Sequence, residues 1–200
     1  TIPNAFEIAD WLGAKLFTST FRPTKLIVGV SSENGINFKD KELPAVPLTE
    51  KKQLGEILQS ALKFKQNAQT LVFVATRRGA ESTAREIGQI TQKFLSAGDK
   101  AELKETSRKV LKALASPTSQ CKDLASCVEN GVAFHHAGIT PKQRDLIEAG
   151  FKHEKNIKAI VCTTTLAMGI DYPATWVVVK DLKRFTGMFS EFIPSLEVAQ

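Results

Sequence analysis

Apolar positions along this chain follow two rhythms. Two short, nearly continuous runs, Thr70-Leu71-Val72-Phe73-Val74-Ala75 and Ile157-Lys158-Ala159-Ile160-Val161-Cys162, have the length and β-branched content of strands covered on both faces, as in a parallel sheet. Val132-Ala133-Phe134 and the stretch from Thr175 to Val179 read as two further strands. Between these runs the apolar residues recur at helical spacing, over about 49–64, 80–95 and 140–151. The last of these is opened by Thr140-Pro141, a hydroxyl N-cap followed by a proline where a helix tolerates one. Residues 98–130, rich in Lys, Glu, Leu and Ala, predict two helices broken near Ser116-Pro117. Alternation of strand and helix predicts a three-layer α/β domain, with a mostly parallel sheet between helices and a helical insertion at about 98–130.

The amino-terminal part is less regular. Ile2, Phe6, Ile8 and Leu12 have helical spacing, with Asn4 as candidate N-cap and Gly13 as candidate stop, which predicts a helix over 2–16. Lys25-Leu26-Ile27-Val28-Gly29-Val30 reads as a strand after Pro23. Residues 31–48, with Asn34-Gly35 and two prolines, read as an irregular loop or hairpin. The tail from Lys180 to Gln200 carries Phe185, Phe189 and Phe192 without a clear period, and burial is the simplest reading for them. No internal repeat or low-complexity linker is visible.

Composition narrows the picture without deciding it. At 200 residues and 42% apolar content the chain suffices for one ordinary core. No apolar run approaches the ~20 residues of a membrane span, and no basic-then-apolar signal opens the chain. It begins Thr1-Ile2-Pro3 without Met, so both ends are read as cuts. Lysine and arginine outnumber Asp and Glu by 27 to 21, a formal charge of +6 that permits a polyanionic partner. Cys121, Cys127 and Cys162 form no disulfide ladder; the first two read as packing residues six apart on a helix. A reducing compartment is expected, the cytoplasm, or the nucleus in a eukaryotic cell.

The candidate chemistry lies where the strands end. Thr76-Arg77-Arg78-Gly79, His135-His136-Ala137-Gly138 and Thr163-Thr164-Thr165 each follow a strand, and in a parallel sheet such ends lie along one edge, where α/β sheets bind ligands. The strip is rich in donors and in cations. It suits a sugar-phosphate backbone, which fixes register without reading sequence. Gly169 admits close approach of the main chain, and Asp171, an acceptor when ionised, suits a sugar hydroxyl or an arginine.

Blander readings compete at each position. The threonines could be ordinary caps. Arg77 and Arg78 could be a solvated helix start, although two cations at a helix amino end oppose its dipole unless an anion joins them. His135 and His136 are adjacent and point differently, with no ligand spacing around them, so no metal site is expected; His136 is expected bonded in the core and His135 facing the cleft. Arg144 either touches a strand or lies on the outer face of its helix. Lys100, Lys104, Arg108, Lys109 and Lys112, interspersed with Glu102 and Glu105, read as a solvated face.

Taken in order, these segments resemble the second RecA-like domain of superfamily-two helicases, in the superkiller-like branch. Leu71 to Arg78 with Gly79-Ala80-Glu81 is similar to motif IV, His135-His136-Ala137-Gly138-Ile139 to that branch's histidine-containing motif, and Thr163 to Ala174 to motif V. Ile2-Pro3-Asn4 with Ala9-Asp10-Trp11-Leu12-Gly13-Ala14 resembles the segment after motif III, and Glu197-Val198-Ala199-Gln200 the approach to motif VI. The combination is most similar to the archaeal DNA-repair helicases and their polymerase-theta relatives, although Asp171 stands where many of these have Asn.

The resemblance implies residues 1–20 as a linker helix and 21–200 as the second RecA-like domain, cut at the start of motif VI, where Gln200 stands. It implies nucleic-acid contacts from Thr76, Arg77, Arg78, His135, His136, Arg144, Thr163 and Thr164, and nucleotide contacts from Gly169 and Asp171. ATP and Mg2+ would be held mainly by a first RecA-like domain, which would be the partner of this one, and the fragment alone would not hydrolyse ATP. The expected substrate is single-stranded nucleic acid, DNA rather than RNA, with 3′-to-5′ translocation. A strand-separating hairpin is expected to begin within 185–194. Two alternatives stand: a helicase-like module that binds without catalysis, and a small-molecule α/β enzyme.

Overall fold

The computed structural model describes residues 4–19, 21, 24–32, 35–40, 53–64, 68–163, 172–185 and 190–193. Backbone contacts divide the chain into one unit of 1–49 with 195–200 and another of 50–194. The first contains helix α1 (Ala5–Trp11), with Asn4 at its N-cap position and Gly13 beyond its end at φ +60°, a left-handed stop that glycine adopts freely. It is shorter than the spacing predicts, and none of its residues is buried. The strand expected at Lys25 to Val30 lies further on. Gly29–Ser32 (β1) pairs antiparallel with Gly35–Phe38 (β2) in a hairpin, the Val28 carbonyl accepts Lys39 N–H at 2.8 Å, and 25–27 lie outside it. A hairpin needs only its own two arms to pair.

The larger unit holds the sheet. Helix α2 (Gln53–Phe64) precedes β3 (Thr70–Phe73), which leads into α3 (Arg77–Thr91) and a short 3-10 turn (Gln92–Phe94). Helices α4 (Ala97–Lys112) and α5 (Ser119–Glu129) follow, then β4 (Val132–His135), α6 (Pro141–Lys152), β5 (Ala159–Cys162) and β6 (Trp176–Val179). The strands lie side by side as β4-β5-β3-β6, every neighbour parallel, with Val72 beside Val161 and Val178. Helices cover the sheet on both sides. A final antiparallel pair is formed by β7 (Lys183–Phe185) and β8 (Ser190–Phe192), and it begins two residues before the 185–194 stretch.

Every residue of β4 and β5 is buried, which is why these segments are unbroken apolar runs. Phe134, Phe151, Leu58 and Ile87 are among the largest side chains wholly enclosed, each contributing about 1.5–3 kcal/mol by leaving water. The helix starts follow the sequence closely. Thr140 and Gln143 make a reciprocal capping box at α6, Ser96 and Asp99 another at α4, and Thr118 caps α5.

The α4–α5 pair belongs to the domain core rather than lying on its surface. Leu103 and Val110 of α4 and Leu124 and Val128 of α5 join the sheet cluster. Lys158, 5% exposed at the start of β5, donates from Nζ to Asp99 Oδ1 at 3.1 Å and to the Lys155 carbonyl at 3.1 Å, which ties α4 to the amino edge of the sheet. Burial pushes the Asp99 carboxyl up, but hydrogen bonds from Ser96 and the Lys158 ammonium together hold it below its ordinary range.

Candidate nucleic-acid interface

Because the four strands run parallel, their carboxyl ends share one edge, and the main chain stitches that edge together one step past each strand. Thr163 N–H donates to the His135 carbonyl at 3.2 Å, Val74 N–H to Cys162 at 2.9 Å and Lys180 N–H to Phe73 at 2.9 Å. The Asp181 carboxylate also accepts from Ala75 N–H at 2.9 Å. The three polar segments far apart in sequence therefore stand in a row.

At the β3 end of the row, Thr76 caps α3, its Oγ1 accepting from Gly79 N–H at 3.0 Å. Arg77 and Arg78 are the first two helical residues, both are exposed, and no acidic residue occupies the first turn. First-turn amides have no intrahelical acceptor, so this helix end collects partial positive charge and two full cations in one place. Such a site favours an anion. Thr76 thus has a structural role as well as the expected contact role.

The histidine loop lies against Arg77: a Cβ added to Gly138 would sit 3.8 Å from Arg77 Cδ. His136 is fully enclosed and stacks on Phe134 with centroids 5.4 Å apart and planes 5° from parallel. Its Nδ1 accepts from Gly138 N–H at 3.1 Å, which leaves the ring proton on Nε2. That nitrogen lies 3.3 Å from Glu81 Oε1, which also accepts from Gln120 Nε2 at 2.7 Å. Burial and, to a smaller extent, the Arg77 charge hold the imidazole below its ordinary pKa, against the attraction of Glu81.

His135 corrects the sequence reading. It does not face an open cleft: it is 5% exposed, and its Nε2 lies 3.2 Å from Glu148 Oε1 on α6. Burial lowers its pKa, and neighbouring Arg144 and His136 add to the effect against Glu148. Both histidines are therefore neutral near pH 7, and each faces a carboxylate from a different helix. Enclosed rings of this kind support the edge from behind instead of presenting a contact surface, so the direct contacts expected of His135 and His136 are not what this geometry offers.

Arg144 is half-buried, one turn before Glu148, and its Nε is enclosed without a hydrogen-bond partner among the described residues. Tyr172 closes the same corner. Its ring meets Phe151 edge-on at 5.7 Å and Lys152 Nζ at 4.5 Å, and burial followed by the adjacent Glu148 carboxylate pushes its phenol upward. Thr164, Gly169, Asp171 and Gln200 lie outside the described residues. Lys100, Lys104, Arg108, Lys109 and Lys112 are all exposed on α4, and Arg108 is 3.6 Å from Glu105.

Sequence reasoning named Glu81 only within the motif IV resemblance, without a role, and missed Glu148 and Asp181. A signal for one existed: Glu148 is one helical turn from Arg144 on an otherwise amphipathic helix, at a partly buried position. Among the described residues no three His, Cys, Asp or Glu side chains converge as a metal site would require, and no helix is long and apolar enough to cross a membrane.

Comparison with known proteins supplies the family. Residues 104–191 match the helicase conserved C-terminal domain. The whole chain is similar to the ATP-dependent DNA helicase Hel308 of Methanococcus vannielii, 34% identical over 206 residues and covering 100% of this chain and 27% of that protein. It is also similar to the Hel308 proteins of Methanocella arvoryzae, at 38% over 201 residues, and Pyrococcus horikoshii, at 39% over 201 residues, each covering 100% of this chain and 26% of the relative. The chain spans about a quarter of the length of these relatives. The chain thus carries the helicase conserved C-terminal domain, a RecA-like domain of the superfamily-two helicases, and along its full length it is similar to the Hel308 proteins.

Proposed function

We propose that this domain is one half of an ATP-driven motor that moves 3′ to 5′ along single-stranded DNA, in a protein that acts in repair or recombination. The observation that carries the reading is the polar carboxyl edge, where Thr163, Thr76, Arg77 and Arg78 stand in one stitched row. Backbone amides, hydroxyls and guanidinium groups at that spacing suit successive phosphates and carry no base code, which is what a translocating grip requires. The relatives named as DNA helicases favour DNA over RNA.

Within this reading Arg77, Arg78, Thr163 and Thr164 hold the strand, Arg144 lies at the edge of the track, and His135 and His136 keep the strand ends in place. Gly169 and Asp171 are the residues assigned to the nucleotide; the glycine permits close approach, and the carboxylate suits a ribose hydroxyl. ATP with Mg2+, bound chiefly by the first RecA-like domain, supplies free energy through transfer of its terminal phosphoryl group to water. A different grip by this edge in the closed and open arrangements of the two domains yields a step. The β7–β8 hairpin, with Phe192 69% exposed at its end, is the element proposed to part a duplex.

Steady-state ATP hydrolysis by the full-length protein tests the reading, with single-stranded DNA or RNA added and a Thr163→Ala variant alongside. Stimulation by DNA that the substitution weakens is the expected result. Stimulation by RNA alone moves the assignment to the RNA branch, and a folded protein without nucleic-acid-dependent turnover leaves only a binding module.

A further inference from the structure

Helix α6 meets the row of strand ends from behind, and one carboxylate on it faces both sides of the segment that links β5 to β6. Glu148 Oε1 receives His135 Nε2 at 3.2 Å, and the His135 carbonyl in turn accepts Thr163 N–H at 3.2 Å, the last described residue before that segment. Tyr172 is the first described residue after it, and its phenol is enclosed beside the same carboxylate. Phe151 and Lys152, on the next turn of α6, grip the Tyr172 ring at 5.7 Å and 4.5 Å. The two flanks of residues 164–171 are thus both tied to α6, the first through the His135–Glu148 contact and the second through Phe151 and Lys152.

We propose that Glu148 is a positioning residue for the strand-gripping edge. It touches neither strand nor nucleotide; it sets the His135 ring, and through the His135 main chain the Thr163 amide. The inference rests on the function proposed above and adds to it a residue outside the recognised motifs. At 23% side-chain exposure the Glu148 carboxylate has lost hydration that its hydrogen bonds must replace. A packing role alone would be met by an apolar side chain of this size without that loss of hydration.

The test compares Glu148→Ala, Glu148→Gln and Glu148→Leu in the full-length protein. For each, the single-stranded DNA concentration giving half-maximal ATPase stimulation is measured with the turnover at saturation, and the thermal midpoint is recorded. Glutamine keeps an acceptor oxygen for the His135 N–H, whereas leucine keeps only the bulk. The expected result is a rise of about tenfold in half-saturating DNA for the alanine and leucine variants, with saturated turnover within about twofold of the parent. The glutamine variant is expected to be restored to within about threefold.

Leucine equal to the parent in half-saturating DNA would overturn the proposal in favour of packing. So would glutamine falling as far as alanine, or all three losing turnover and thermal midpoint together. A parent protein that shows no DNA-dependent turnover overturns the functional reading itself, and this proposal with it. A parent that is stimulated and a Glu148→Ala variant that matches it overturns this proposal alone.

Discussion

His136 Nδ1 accepts the backbone N–H of Gly138 at 3.1 Å, closing a two-residue loop that turns the chain out of β4. The bond needs the main chain close to the ring, and glycine is what permits it. A Cβ at Gly138 would lie 3.0 Å from both Cε1 and Nδ1 of His136, and the ring cannot retreat because it is enclosed and stacked on Phe134. Gly138→Ala is therefore expected to destabilise the fold by about 1–3 kcal/mol, the usual cost of overpacking. A lower midpoint in denaturant unfolding of the full-length protein checks this, and an unchanged midpoint would show that the ring can move.

Two enclosed neutral histidines give the fold a pH dependence with a definite sign. The pKa values of His135 and His136 are lowered in the folded chain, chiefly by burial, so near pH 6 the unfolded state binds more protons than the folded one. Stability is then complete above the ordinary histidine pKa of about 6.5 and declines as pH falls through it toward the folded values. Unfolding free energy measured between pH 8 and 5.5 should fall on the acid side. His136→Asn, which can keep the Gly138 bond, combined with His135→Gln should flatten that decline. Asp99, whose pKa is also lowered, contributes stability that is lost only on further acidification, below the ordinary carboxylate range.

At the opposite edge of the sheet, Lys158 depends on Asp99. Asp99→Ala would take the paired carboxylate from an ammonium group with 6% side-chain exposure, and would remove the α4 capping box as well. Breaking one side of such a pair costs about 3–5 kcal/mol, whereas replacing the buried charge by an apolar chain is often nearly neutral. Asp99→Ala should thus be much less stable than Lys158→Met in the same denaturation series, and equal losses would contradict this ordering.

Phosphate contacts at the head of α3 have a salt signature. Replacing Arg77 or Arg78 by Gln should weaken single-stranded DNA binding about tenfold, the low end for hydrogen bonds to a charged group. It should also reduce the slope of log affinity against log salt by about 0.7 for each phosphate released. Fluorescence anisotropy across a salt series measures both. A change in affinity with an unaltered slope would mean that the arginines act through the fold and not on phosphates.

Much of the architecture was legible because local signals and the global fold agree. The Thr70 and Ile157 runs are unbroken since both faces are covered, and Thr140-Pro141 announces α6 through its own capping chemistry. The row of polar strand ends followed from parallel order alone. What escaped depends on partners distant in sequence. His135 looked like a cleft residue because Glu148, thirteen positions away on a helix, cannot be paired with it by spacing. The Leu26-Ile27-Val28 run has strand propensity, yet the described strand starts at Gly29, which pairs with Phe38. Propensity identifies a candidate strand, and a partner decides where it begins.

The order β4-β5-β3-β6 also bears on how the chain is made. β3 finds both of its neighbours downstream, with Val72 and Cys162 linked across 90 positions, and β4 waits for β5 as well. No part of this sheet can form until β5 has been synthesised. At ribosomal speeds of about 5–20 residues per second, β3 spends roughly 5–18 s without a mate. During that interval its Leu71, Val72 and Phe73 depend on local helices or on a chaperone for cover, so synthesis, before any unfolding of the finished domain, is where this fold is most exposed to aggregation.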